Sequence, residues 1–143
     1  MTRRLLLLSI LLLALRPASV IAEPAYRVIV NPQNPINSVS KSLLSKMLLK
    51  TQTTWSNGNR VMPVDQRATG RVRDALSRAV HGRSAMVIKN WWNQQIFAGK
   101  GVPPPELATD AKVVAYVIAN PGAVGYVSAD ANVGDVKVVA LQE

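Results

Sequence analysis

The hydrophobic residues change their spacing several times along this chain, and each change predicts an element. Tyr26 to Val30 (Tyr-Arg-Val-Ile-Val) is compact and rich in β-branched side chains, which predicts a strand. Asn31-Pro32-Gln33-Asn34-Pro35 breaks it. Leu43, Leu44, Met47 and Leu48 then recur at helical spacing, with Ser38 or Ser40 as the cap and Lys41, Ser45, Lys46 and Lys50 mostly off the apolar face. After the turn at Asn57-Gly58, Val61 to Val64 reads as a short strand. A helix follows from about Gly70 to Val80, closed by His81-Gly82. Ser84 caps a further helix, on which Val87, Ile88, Trp91, Trp92, Ile96 and Phe97 form a broad apolar face, and Gly99 stops it.

Lys100 to Pro105 is a stiff loop with polyproline character, too short to link domains. Thr109 caps the last helix, which carries Val113, Val114, Val117 and Ile118 and ends at Asn120-Pro121-Gly122. Gly125 to Ser128 and Val136 to Leu141 read as strands. Four strands alternating with amphipathic helices predict an α/β fold, with a small mixed, partly parallel sheet flanked by helices.

Residues 1–22 have a different character. Arg3 and Arg4 precede an apolar run from Leu5 to Leu15, interrupted only by Ser9, and Val20-Ile21-Ala22 offers a cleavage site. This is the pattern of a signal peptide. The run is about half the ~20 residues needed to span a bilayer. The expectation is a leader over 1–22 and one domain over 23–143, secreted, or periplasmic in a Gram-negative bacterium, and not membrane-spanning once the leader is removed. The whole chain carries a net charge of +9. Removing Arg3, Arg4 and Arg16 leaves 14 basic residues against 8 acidic ones, or +6. That balance favours anionic partners without naming one. The basic residues are scattered and form no stripe, so nucleic acid is not the expected partner.

Catalytic chemistry is poorly provided for. There is no cysteine, and His81 is the one imidazole, at a helix end where a histidine commonly caps or complements the dipole. The eight acids show no acid/base or metal-ligand spacing, and no phosphate-binding glycine loop is present. The expectation is no catalytic residue, no metal and no cofactor. The Trp91-Trp92 pair can be read as a platform for a sugar or base, or as ordinary packing on an apolar helix face.

The stretch from Arg60 to Leu76 carries the remaining chemistry. A strand feeding a turn that opens a helix near Thr69–Gly70 aims unpartnered backbone N–H groups at one point, which favours an anion. Arg67, Arg71 and Arg73 crowd that turn. Arginines on the first turn of a helix can equally be a solvated face, set against the dipole preference.

Across the chain the ordered pieces Val-Ile-Val-Asn-Pro (residues 28–32), Leu-Leu-Ser-Lys-Met-Leu-Leu-Lys (43–50), Trp-Ser-Asn-Gly (55–58), Val-Met-Pro-Val-Asp-Gln (61–66) and Asn-Pro-Gly-Ala-Val-Gly-Tyr-Val (120–127) stand in sequence. In this order they resemble the PstS-like phosphate-binding proteins of ABC uptake systems, which are type 2 periplasmic binding proteins. The resemblance runs from about Tyr26 to Leu141 and implies one lobe of a two-lobed fold, the inserted one. It implies an oxyanion site where the family has an arginine followed by Ser-Gly-Thr at a helix start. In this register Ser-Gly-Thr falls on Gly70-Arg71-Val72 and the arginine on Gln66, with Arg67 next to it. The family's hydroxyls are absent, and Thr69 is the nearest one. The implied candidates are Gln66, Arg67, Thr69, Gly70, Arg71 and Val72, with inorganic phosphate or a similar oxyanion as ligand. The expected function is a non-catalytic module that binds an oxyanion weakly or docks to a partner. The alternatives are a phosphate-uptake receptor acting as a homodimer and a small hydrolase.

Overall fold

The computed structural model describes residues 17–19 and 23–143. The expected leader lies outside the described residues, apart from 17–19. Among the described residues, no helix is long and apolar enough to cross a membrane.

Among the described residues, seven strands and four helices follow in the order β1 (Tyr26–Val30), β2 (Ser38–Ser40), α1 (Lys41–Leu48), β3 (Met62–Pro63), β4 (Asp65–Gln66), α2 (Arg71–His81), α3 (Ala85–Phe97), β5 (Glu106–Leu107), α4 (Asp110–Ala119), β6 (Ala123–Ser128) and β7 (Lys137–Gln142). Five strands form one sheet in the order β2-β7-β1-β6-β3, and β4 pairs with β5 apart from it. The sheet is mixed, as expected. β1 runs antiparallel to β6 and β7, while β2 runs parallel to β7 and β3 parallel to β6.

The central strands are buried on both faces, so period 2 divides their apolar runs between two cores. Val28 and Val30 of β1, with Val124 and Tyr126 of β6, join Leu44, Met47, Leu48, Leu76 and Val80 from α1 and α2. Ile29, Ala123 and Val127 face the other way, onto Val113 and Val117 of α4. Gly125 lies against this second core. A Cβ there would sit 2.6 Å from Val64 Cγ1 and 2.9 Å from Val113 Cγ1.

The structure departs from the sequence reading in three places. The expected strand Val61–Val64 is shortened to β3, because the chain leaves β6 after Val64 and pairs with β5 as β4 over Asp65–Gln66. Val64 N–H still donates to Val124 O at 2.9 Å between the two. β2 and β5 have only three and two residues, too short to show a period, and exist through their partners β7 and β4. The face of α3 is narrower than expected. Only Ala85, Ile88 and Trp92 are buried, whereas Val87 and Ile96 are exposed and Phe97 is 96 % exposed. α3 packs mainly on α2, and one neighbouring helix covers only one narrow stripe of it.

Two of the pieces that carried the resemblance meet in space. The buried Trp55 donates its Nε1–H to Gly122 O at 2.9 Å, and Met62 N–H donates to the same oxygen at 2.9 Å. Trp55 thus anchors the Asn120-Pro121-Gly122 turn that starts β6. A Cβ on Gly122 would lie 1.9 Å from Arg60 O, and backbone cannot step aside cheaply. Gly122→Ala should therefore lower the unfolding free energy by about 3 kcal/mol. A denaturant midpoint equal to that of the unsubstituted protein would contradict this account of the turn.

Candidate functional site

The turn after β4 is built from below. Arg73 is only 3 % exposed although it sits in the first turn of α2, on the same face as Leu76 and Val80. A buried guanidinium must be paired. Its Nη2 lies 3.2 Å from Asp65 Oδ2, and its Nη1 donates at 2.6 Å both to Glu106 Oε1 and to Gln66 O. Asp65 also accepts from the Tyr126 hydroxyl and, at 3.0 Å, from Gln66 N–H. Burial pushes the Asp65 carboxyl up, and Arg73 and the Tyr126 hydroxyl oppose that push. Burial and the Asp65 charge drive the Tyr126 phenol far above its ordinary value.

The Gln66 side chain extends this network. Its Nε2 donates to Asp110 Oδ1 at 3.0 Å and to Tyr126 O at 2.9 Å. Asp110 Oδ1 also accepts Ser128 N–H at 3.1 Å. Burial raises the Asp110 carboxyl, but the hydrogen bonds from Ser128 and Gln66 outweigh it and hold the group below its ordinary range. Arg73, Asp65, Glu106, Gln66, Tyr126 and Asp110 thus join α2, α4, β4, β5 and β6.

Above this network the turn is open. Gly70 N–H donates to Arg67 O at 2.9 Å, and Gly70 is the N-cap of α2 with φ −78° and ψ 141°. Glycine has no side chain to offer, so no side chain caps the helix start. Thr69, Gly70 and Arg71 line a broad cavity of about 600 Å³ with Ala68, Asp74, Ala75 and Met86. Asp74 is turned toward α3. It pairs with Arg78 at 2.8 Å and accepts Ala85 N–H at 2.9 Å, and the Arg78 hydrogen bond holds its carboxyl below the usual range.

The six sequence candidates therefore separate. Thr69, Gly70 and Arg71 come together at the cavity. Arg67 is exposed on the same turn. The Gln66 side chain is committed beneath it, and the Val72 side chain packs against the core. Sequence reasoning missed Arg73, Asp65, Glu106, Asp110 and Tyr126 as a group. A signal was present: Arg73 occupies an apolar register with Leu76 and Val80, and Asp65 follows an apolar run.

His81 has a different setting. Its Nδ1 lies 2.7 Å from Ser45 Oγ, and burial together with the Arg73 charge lowers its pKa to about 4. An imidazole that weakly basic is a poor general base near neutral pH. Among the described residues no carboxylate bonds to it, so the Ser45–His81 contact lacks the orienting acid of a triad. The described residues also contain no cluster of histidine, cysteine or acid groups that could hold a metal ion.

With this geometry the chain has the fold of one half of a set of phosphate receptors. The ABC-type phosphate transport receptor of Vibrio cholerae superposes with a TM-score of 0.65 at 16 % identity, over 82 % of this chain and 46 % of that one. The PstS of Borrelia burgdorferi superposes with a TM-score of 0.58 at 13 % identity, over 83 % of this chain and 47 % of that one. The chain thus spans about half the length of the solved structures it matches. No protein-family model matches it, and neither does any curated protein.

Two outcomes follow from the buried groups. Arg73→Ala should cost about 3–5 kcal/mol, because it strands Asp65 in the interior, whereas Arg71→Ala on the exposed side should cost under about 0.5 kcal/mol. Equal denaturation midpoints for the two variants would contradict the network. The folded His81 pKa lies below its unfolded value of 6.5, so the native state binds fewer protons. Its contribution is complete above about pH 6.5 and is lost as the pH falls toward about 4. After discounting for partial exposure, the loss should be about 1–2 kcal/mol. Unfolding measured across that window should steepen for the native chain and flatten for His81→Asn.

Proposed function

We propose that this chain is a secreted, non-catalytic module that binds phosphate or a similar oxyanion weakly at the start of α2. The observation that carries this reading is the uncapped first turn at Gly70, open to a cavity beside two exposed arginines. Arg67 and Arg71 form no ion pair among the described residues. Unpartnered N–H groups, the positive end of the dipole and two free guanidinium groups all favour an anion. The phosphate-receptor neighbours support the same ligand chemistry.

Weak binding follows from the same geometry. The hydroxyls implied by the resemblance are missing at 70–72, and the cavity is broad, so a bound anion keeps much of its water and its charge stays screened. In the solved structures the matched half is joined to a further half of the same chain. A second copy or a partner protein facing the α2 cavity would supply an opposing wall here.

Calorimetric titration with inorganic phosphate tests the reading. Affinity in about the millimolar range is expected, corresponding to roughly −4 kcal/mol. Arg71→Ala and Arg67→Ala should each weaken it about tenfold at low salt. No heat at millimolar phosphate would sink the proposal. Micromolar affinity accompanied by dimerisation in sedimentation would instead indicate a two-copy uptake receptor.

A further inference from the structure

The ends of α1 and α3 enclose a second cavity, of about 430 Å³, which shares no lining residue with the one at α2. Its volume lies in the range of small-molecule sites. Leu49, Trp91 and Trp92 give it apolar walls, Lys50 and Lys100 stand on it, and no acidic side chain lines it. Burying apolar surface beside two unopposed ammonium groups suits a ligand with one apolar part and one anionic part.

Two further features are unexplained by packing. Trp92 is 4 % exposed, and its enclosed Nε1–H has no hydrogen-bond partner. Trp55, equally buried, gives its Nε1–H to Gly122 O. Buried indole donors ordinarily find an acceptor, so the enclosed Trp92 donor is an unmet demand in a residue that lines the cavity.

The second feature is the backbone of Lys50. α1 ends with Lys50 N–H donating to Met47 O and Thr51 N–H to Lys46 O, which places Lys50 in the left-handed conformation at φ 59°. α3 ends in the same pattern at Gly99, φ 66°, and α2 ends at Gly82, φ 68°. Glycine takes this position without strain, and a lysine does not. Among the described residues Lys50 is the one non-glycine at positive φ, and it lines the cavity. Its Nζ meets only Pro103 O, at a long 3.4 Å, which leaves its charge unneutralised.

We infer that this cavity is a binding site for a small amphipathic anion, a flat apolar body carrying a carboxylate. Lys50 and Lys100 hold the carboxylate, and the apolar body lies against Leu49 and Trp91. Trp91 and Trp92 meet edge to face, with centroids 4.7 Å apart and planes at 70°, so they form a corner rather than a flat platform. A corner takes one ring on one side, against the Trp91 face.

Nitrogen-15 spectra of the tryptophan indole groups provide the test, with 2-naphthoate as probe and 2-naphthalenemethanol as its neutral counterpart. Saturable shifts of the Trp91 and Trp92 signals are expected, with Trp55 unmoved and the neutral alcohol binding about tenfold more weakly. Lys50→Gly should leave the unfolding midpoint equal or higher, because it relieves the left-handed strain, and should weaken 2-naphthoate about tenfold. Lys100→Ala should weaken it similarly, and phosphate titration should be unchanged in both variants. The inference is overturned if no signal saturates, if the alcohol binds as well as the acid, or if Lys50→Gly binds 2-naphthoate normally. In that last case Lys50 serves only the negative end of the α1 dipole.

Discussion

The pairing of Arg73 inside the protein is the constraint on which the rest of the candidate site depends. A guanidinium at 3 % exposure is tolerable only if its donors are met. Asp65, Glu106 and the Gln66 carbonyl meet them, and those three groups come from β4 and β5. β4 and β5 have two residues each, too few to hold together as an isolated ribbon. The buried charge therefore does for this small sheet what a longer ladder would do elsewhere. Through Tyr126 it is also tied to β6 of the main sheet. The loop carrying Arg67, Thr69 and Gly70 leaves this anchored point and returns to it within one helical turn, so its path is set by charge pairing below it.

That arrangement separates support from contact. Gln66 and Arg73 are spent on holding the turn, whereas Thr69, Gly70 and Arg71 face the cavity. The same division appears at the Asn120-Pro121-Gly122 turn, where Trp55 and Met62 share one carbonyl. Recognisable short sequence pieces thus serve packing here: the tryptophan needs the glycine carbonyl, and the glycine needs to lack a Cβ beside Arg60. The phosphate receptors share this fold. It does not by itself specify a ligand, because the atoms that would touch one lie on the short loop, where this chain differs from the pattern.

The cavity at the ends of α1 and α3 obeys another logic. Its features are small local costs, namely a donor without an acceptor and a lysine where glycine is easier. Costs of this kind persist where the surrounding structure over-determines them, and they gather at functional positions. Both lysines follow helix ends, so the α1 and α3 caps place them as directly as the α2 cap places its open N–H groups.

Much of this was legible in the chain itself. The bounds of α2, its closing Gly82, the serine and threonine caps of α1, α3 and α4, and the strand at Tyr26–Val30 follow from local periodicity and capping chemistry. The mixed α/β class follows from their alternation, and the open helix start at Gly70 from the absence of a capping side chain. These features are local, because their energies come from residues within a turn of one another. Long-range packing decided the rest. Periodicity could not reveal β2, β4 or β5, which exist only through partners more than 40 residues away or across a crossover. It could not tell that Val87, Ile96 and Phe97 would stay exposed, since that depends on how many neighbours α3 has. Nor could it separate Arg73 from Arg71: two arginines in the same helical turn read alike in sequence, and only the position of Asp65 and Glu106 in space makes one a buried anchor and leaves the other exposed.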